Sequence, residues 1–310
     1  MLSLTSMTLH GTYKTQRSAR YRPLTRRITL GICCVAVSIG LGGCGSSLPS
    51  MGSLFESKSA PKEITGTAEE LYKIGDARMN TGNYVVASRY FEEVDRQHPY
   101  SPLARRAIVM ASYAYYKNGK YPEAIAGAKR YVTLHPGTKE AALAQYIISS
   151  SYFDRIKNPA NDQTATRKAL QELEILVRRY PNSRYAPKVR NRIKIANDVL
   201  AAHEMEVGRY YLKNHNYLAS INRFKTVLRN YQTTKHVEEA LARLTEAYMA
   251  MGITNEAQTA AAILGHNFPS SKWYHDSYAL LKSGGLTPRE HQGSWVSQTW
   301  KTVTKKLLPG

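Results

Sequence analysis

Few residues in this chain stand at a spacing that could do covalent chemistry. Its nine His are scattered, and His98 and His135 each precede a Pro, where they read as helix ends rather than metal ligands. No H-E-x-x-H, P-loop or G-x-S-x-G string occurs. Asp154 with Arg155, or Glu204 with Glu206, could be drawn as an acid and base, yet charges on helix faces are ordinarily solvated. The stretch Gly40-Leu41-Gly42-Gly43-Cys44-Gly45 spells G-x-G-x-x-G, but that fingerprint works only between a strand and a helix. Here a polar Gly/Ser/Pro stretch follows it. The expectation is a non-enzyme, with no catalytic residue, no metal and no cofactor.

One residue does invite a covalent reaction. Six basic residues and no acidic one precede an apolar run from Ile28 to Leu41, a basic segment and short apolar core that read as a secretory signal over residues 1–43. The run ends in Leu41-Gly42-Gly43-Cys44, which resembles the bacterial lipobox. Small residues let a peptidase approach the backbone and cut ahead of the Cys, whose thiol takes a diacylglycerol. Three acyl chains then anchor where one would hold only marginally. Cys33 and Cys34 leave with the signal, so Cys44 is the mature chain's sole Cys, and stability must come from packing rather than disulfides. Position 45 is Gly rather than the Asp that retains enteric-type lipoproteins at the inner membrane. By that sorting rule the protein is expected in the cell outer membrane, lipid-anchored on its periplasmic side. Met1 and Met7 both remain open as the start.

Behind the anchor lies the body of the chain. The 310 residues include 43 Lys or Arg, 23 Asp or Glu and 43% apolar residues. No apolar run reaches the ~18 residues needed to span a bilayer. Losing the six leader cations leaves a mature charge of about +14, which favours acidic protein partners or anionic headgroups. Export argues against nucleic acid. Residues 44–67, rich in Ser, Gly, Pro and Lys, read as a lipidated flexible tether.

From Ala68 small and apolar residues recur at helical spacing. Helix-ending dipeptides begin at His98, His135, Tyr180, Tyr231 and Phe268, and turn residues Gly82, Gly119, His215 and Gly252 keep the same register. Small residues fall at the helix crossings (Ala87, Ala124, Ala169, Ser220, Ala257), with larger packing sites four and seven positions later. In the first and fourth units Gly75 and Gly208 add a further small site. The pattern predicts an all-α fold, a tetratricopeptide-like α-solenoid of five helix-turn-helix repeats over 68–275. The third unit carries an insert at Asn158–Asp162, and the fourth a lengthened first helix from about Pro187 to Leu212. Residues 276–310 form a C-terminal tail with Trp295 and Trp300, read as disordered or as an amphipathic segment that folds on a partner or membrane.

Lipobox, tether and repeats, with the strings Ala114–Asn118, Leu176–Ser183 plus Tyr185, and Tyr210-Tyr211 running to Asn222-Arg223-Phe224, resemble the BamD (ComL) family, the lipoprotein subunits of the outer-membrane β-barrel assembly machinery. That resemblance implies a scaffold in the periplasm that binds an Omp85-type (BamA-like) barrel subunit and other complex lipoproteins, and receives unfolded outer-membrane β-barrel precursors. In a repeat of this kind the first helix of each unit lines the concave face at its positions 2, 5, 9 and 12, which on the first two units gives a peptide-binding groove of Tyr72, Arg106, Tyr113 and Tyr116, with Tyr100 just after the closing Pro. These aromatics and a cation suit a C-terminal aromatic residue and its carboxylate; the same Tyr would equally serve as helix-surface cover. The family's Asn-Arg pair falls on Asn222-Arg223, making Arg223 a candidate contact to an acidic residue of the barrel subunit, or else a solvated surface Arg. An adaptor for cell-wall or division machinery is the alternative function.

Overall fold

The computed structural model describes residues 64–307, with side chains to Thr302; the expected signal, Cys44 and most of the tether lie outside them. Twelve helices and no strand occur among these residues. They are α1 (Ala68–Asn80), α2 (Tyr84–Gln97), α3 (Pro102–Lys117), α4 (Tyr121–Leu134), α5 (Lys139–Phe153), α6 (Thr164–Arg179), α7 (Ala186–Lys213), α8 (Tyr217–Asn230), α9 (Val237–Ala250), α10 (Thr254–Asn267), α11 (Lys272–Ser283) and α12 (Trp295–Leu307). Each helix from α1 to α10 packs against the next, and α1, α3 and α5 also pack in sequence. This is the all-helical repeat stack that the periodicity predicts.

Local chemistry sets the ends. Thr67 and Glu70 form a capping box at α1, and Ser101 caps α3 ahead of Pro102. Four of the five second helices stop before Pro, which disfavours the α region for the preceding residue. His98, His135, Tyr180 and Phe268 accordingly share φ between −130° and −137°, and Tyr231, ahead of Gln232, takes the same bend at −132°. Inside the units, Gly82, Gly119 and Gly252 take φ of 72–75° and His215 takes 58°, the left-handed turn that Gly enters without a Cβ clash.

Packing follows the small-residue positions. All five crossing residues, Ala87, Ala124, Ala169, Ser220 and Ala257, have no exposed surface. Phe91 and Phe224 are equally buried, each ring lying where Gly75 and Gly208 have no side chain. A Cβ at Gly75 would fall 2.8 Å from Phe91 Cε1, and one at Gly208 would overlap Phe224. Burying such a ring contributes about 1.5–3 kcal/mol, so the glycines secure two of the larger packing terms.

The insert and the long helix of the sequence turn out to be one feature. Residues 154–163 fold around Gln163, whose amide nitrogen lies 2.8–3.2 Å from the carbonyls of Asn158, Pro159 and Asn161. The 28-residue α7 reaches across to meet them, its His203 ring 2.7 Å from the Pro159 carbonyl.

The C-terminal residues differ from the tail expected for them. They fold onto their own chain, α12 lying against α8 and α10. Glu256 of α10 accepts from Ser294 Oγ at 2.6 Å and Trp295 N at 2.9 Å, fixing the start of α12. Lys225 stands 3.9 Å from the Trp295 ring centroid. Val296 and Ser297 are fully buried. The described part of the α12 apolar face, Trp295, Val296 and Trp300, packs within the molecule.

Candidate functional site: an aromatic, basic groove

A groove of about 960 Å³ opens between α3, α5 and the segment joining α6 to α7. Arg106, Met110 and Tyr113 enter it from α3, Lys139 and Tyr146 from α5, and Tyr180 to Tyr185 close the third side. Helical spacing places the α3 residues on one stripe, since positions three and four apart share a face. The Tyr146 and Tyr185 rings stack at 4.7 Å with 19° between planes. Arg106, Lys139, Arg179 and Arg184 line the groove against a single carboxylate, Glu140. It is therefore an aromatic cleft with an excess of cations, chemistry that attracts a peptide bearing an aromatic side chain and a carboxylate.

Of the five groove residues expected from sequence, Arg106 and Tyr113 line this cleft. Tyr72 adjoins it, with the Arg106 guanidinium 5.7 Å from its ring and Phe91 edge-on at 5.2 Å. The Tyr72 hydroxyl is buried without a hydrogen-bond partner, and burial raises its pKa while Arg106 opposes the shift. Tyr116 stacks on Tyr113 at 6.2 Å, but its hydroxyl donates to Asp154 at 2.6 Å. Burial first, then Asp154, push that hydroxyl up to about 12. Asp154 in turn lies 3.5 Å from Arg192, which also donates to Ser150. Tyr116 thus belongs to a polar network joining the second and third units, not to open cleft. Tyr100 is fully exposed and lines a separate shallow depression beside Thr67 and His98, so the groove does not include it.

The sequence reading missed the third wall. Arg184 and Tyr185 follow the closing Tyr180-Pro181 of the third unit, and Tyr146 on its α5 was missed with them; the spacing around this unit is irregular, so positions transfer poorly from one repeat to the next. A signal existed, because the Leu176–Ser183 and Tyr185 string carried part of the family resemblance.

Arg223 requires a correction. Phe224 does fill the core and turns Arg223 outward, but the guanidinium is not free: its Nη1 donates to Glu204 Oε2 of α7 at 3.1 Å. The Arg223 side chain remains 42% exposed, so a second carboxylate could still reach it. Asp154 and Glu204, weighed above as acid or base, are each engaged by an Arg. No group of His, Cys, Asp and Glu suited to a metal ion occurs among the described residues.

Residues 65–264 match the YfiO family, described as an outer membrane lipoprotein. The chain is 43% identical over 262 residues to the outer membrane protein assembly factor BamD of Caulobacter vibrioides, covering 84% of this chain and 83% of that protein. Against the assembly factor BamD of Rickettsia prowazekii it is 34% identical, over 80% of this chain and 95% of the other. The Neisseria meningitidis serogroup A protein of the same name is 32% identical, over 76% and 92%.

Proposed function

This chain belongs to the YfiO family of outer membrane lipoproteins, and we propose that, as a lipoprotein subunit of the outer membrane protein assembly machinery, it offers the α3–α5 groove to unfolded β-barrel precursors. Cys44 is the lipid attachment, holding the protein on the periplasmic side through the 44–67 tether. The fourth and fifth units dock an Omp85-type barrel subunit, with Arg223 at the contact. The role is scaffolding and substrate recognition rather than catalysis.

The observation that carries the reading is the groove itself. Half-buried Tyr113 and Tyr185, the latter backed by the buried Tyr146 ring, supply flat apolar surface for an aromatic side chain, and Arg106, Lys139, Arg179 and Arg184 supply charge for a terminal carboxylate. Among the described residues neither Lys139 nor Arg179 is paired with a carboxylate, so an incoming one meets cations already positioned.

A fluorescent peptide ending in Phe with a free carboxylate tests this on the mature protein. Amidating that terminus removes one charge-assisted hydrogen-bond acceptor, about 1.5–3 kcal/mol, and is expected to weaken binding at least tenfold. Tyr185→Ala, which removes a half-buried ring of the same groove, is expected to do likewise. Equal affinity for the acid and the amide would remove the groove from the substrate path. Separately, Cys44→Ala should yield a folded protein in the soluble fraction; retention on membranes after a high-salt wash would assign anchoring elsewhere.

A further inference from the structure

The repeat array contains a longer repeat. The closing residues of units one and four, His98 and Tyr231, lie 133 residues apart, as do those of units two and five, His135 and Phe268. A shift of 133 residues carries α2 onto α8 and α4 onto α10 end for end, and α3 onto α9 with the same C-terminal residue. Phe91 then falls on Phe224, Ser112 on Thr245, Tyr115 on Tyr248 and Glu123 on Glu256.

Within the second copy of this arrangement the channel between α8 and α10 is filled by α12. Glu256 binds the first backbone amides of α12, and Lys225 lies under Trp295. A carboxylate at a helix N-terminus satisfies amides that have no partner in the helix and complements its dipole. In the first copy the matching channel, between α2 and α4, is an open groove of about 620 Å³ on the side of α3 away from the aromatic cleft. Its floor is Phe91, Ala111 and Ser112, with Gly127 at one wall. Gly127 keeps that floor clear, since a Cβ there would overlap Ser112 Oγ.

The two channels differ in charge. Of the two cations on the Trp295 ring, Arg229 is kept as Arg96 and Lys225 is replaced by Glu92, whose carboxylate accepts from Tyr115 at 2.6 Å. Burial and Glu92 together push that phenol up to about 12. Around the groove Arg96 pairs with Glu93 and Arg130 with Asp95. Among the described residues Glu92 and Glu123 have no ion-pair partner, an acidic spot in a chain of net charge +20. The chain's own α12 would suit this groove badly, because the negative face of its Trp295 would meet a carboxylate instead of an ammonium.

We propose that the α2–α4 groove is a second docking site, receiving the N-terminal turns of a basic amphipathic helix from a partner protein, with Glu123 bound to its first amides and Glu92 paired with a Lys or Arg where α12 carries Trp295. Three points support that occupant: the filled register-equivalent channel, the retained capping carboxylate and the inverted charge. The proposal does not depend on the substrate groove, which lies on the other side of α3.

Two fluorescent peptides test it against the full mature chain. One is residues 290–307 as they stand; the other carries Trp295→Lys. The Lys peptide is expected to bind at least tenfold more tightly than the Trp peptide, and Glu123→Gln to weaken it at least tenfold. Glu92→Lys, which gives the first channel the charge of the second, is expected to reverse the preference. Both acids are exposed, so the melt of Glu123→Gln should overlay that of the parent, and that of Glu92→Lys should fall only by the lost Tyr115 hydrogen bond. No saturable binding of the Lys peptide would overturn the proposal, as would a preference unaltered by Glu92→Lys. A dimer on gel filtration that disappears when α12 is deleted would assign the groove to a second copy and overturn it as well.

Discussion

Arg223 holds two positions at once, an internal ion pair and a candidate partner contact, and charge reversal separates them. Replacing it with Glu sets a carboxylate beside Glu204, whose side chain is only 16% exposed. The lost pair, largely screened at the surface, is worth about 0–1 kcal/mol. Two like charges near 4 Å add about 1 kcal/mol in a watery setting, since the new side chain can swing outward. Arg223→Glu should therefore destabilise the fold by about 1 kcal/mol, a Tm decrease of about 2–4 °C for a body this size. Adding Glu204→Arg rebuilds the pair with its polarity reversed, and the Tm should return. Affinity for the purified periplasmic domains of the barrel subunit should not return, because an acidic partner residue still faces the introduced carboxylate. The expected loss is about 2 kcal/mol or more, roughly thirtyfold, in both single and double variants by calorimetry. A double variant that regained affinity along with Tm would show that Arg223 acts only within the fold; unchanged affinity in the single variant would refute the contact outright.

The remaining expectations concern the scaffold. Gly208→Ala forces a methyl against Phe224 and should cost about 1–3 kcal/mol, while Gly137→Ala, with nothing within 4 Å of the new atom, should leave the urea midpoint within error. His215→Gly relieves the strained φ of 58°; the αL penalty of about 1–2 kcal/mol exceeds the about 0.5–1 kcal/mol entropic cost of glycine, so the melt should hold or rise. His236 is surrounded by Asp198, Lys235, Glu239 and Arg209, and burial lowers its pKa against the opposing pull of Asp198. A depressed folded pKa means the unfolded chain takes the proton first, so stability should fall as pH drops below about 6.5, and His236→Gln should flatten that slope in denaturant titrations.

What the sequence disclosed follows the range of the interactions. Helix ends are local, and the dipeptides at His98, His135 and Phe268 are legible because a Pro keeps the preceding residue from staying helical. The crossing residues Ala87, Ala124, Ala169, Ser220 and Ala257 are legible because only small side chains let two helices approach, whatever the rest of the chain does. By contrast, the partner of Arg223 sits on α7, and Glu256 caps a helix that starts 39 residues further on. Nothing in the local pattern specifies either pairing. Tyr100 shows the opposite error, since an aromatic beside a repeat end looks like groove lining until the turn at Pro99 leaves it in solvent. The groove's third wall was hidden because the third unit, stretched by its insert, breaks the register used to transfer positions.

Whether the α3–α5 groove receives barrel precursors is decided by site-specific photocrosslinking. In the full chain, a photoreactive residue replacing Tyr113 or Tyr185, both half-buried in the groove, should capture a labelled precursor with an intact C-terminal aromatic residue, and capture should fall at least fivefold when that last residue is removed. A probe at Tyr210, exposed but outside the groove, should capture little of either. Equal labelling at all three positions, or capture indifferent to the precursor's C-terminus, would place precursor binding elsewhere on the molecule and overturn the role given to the groove.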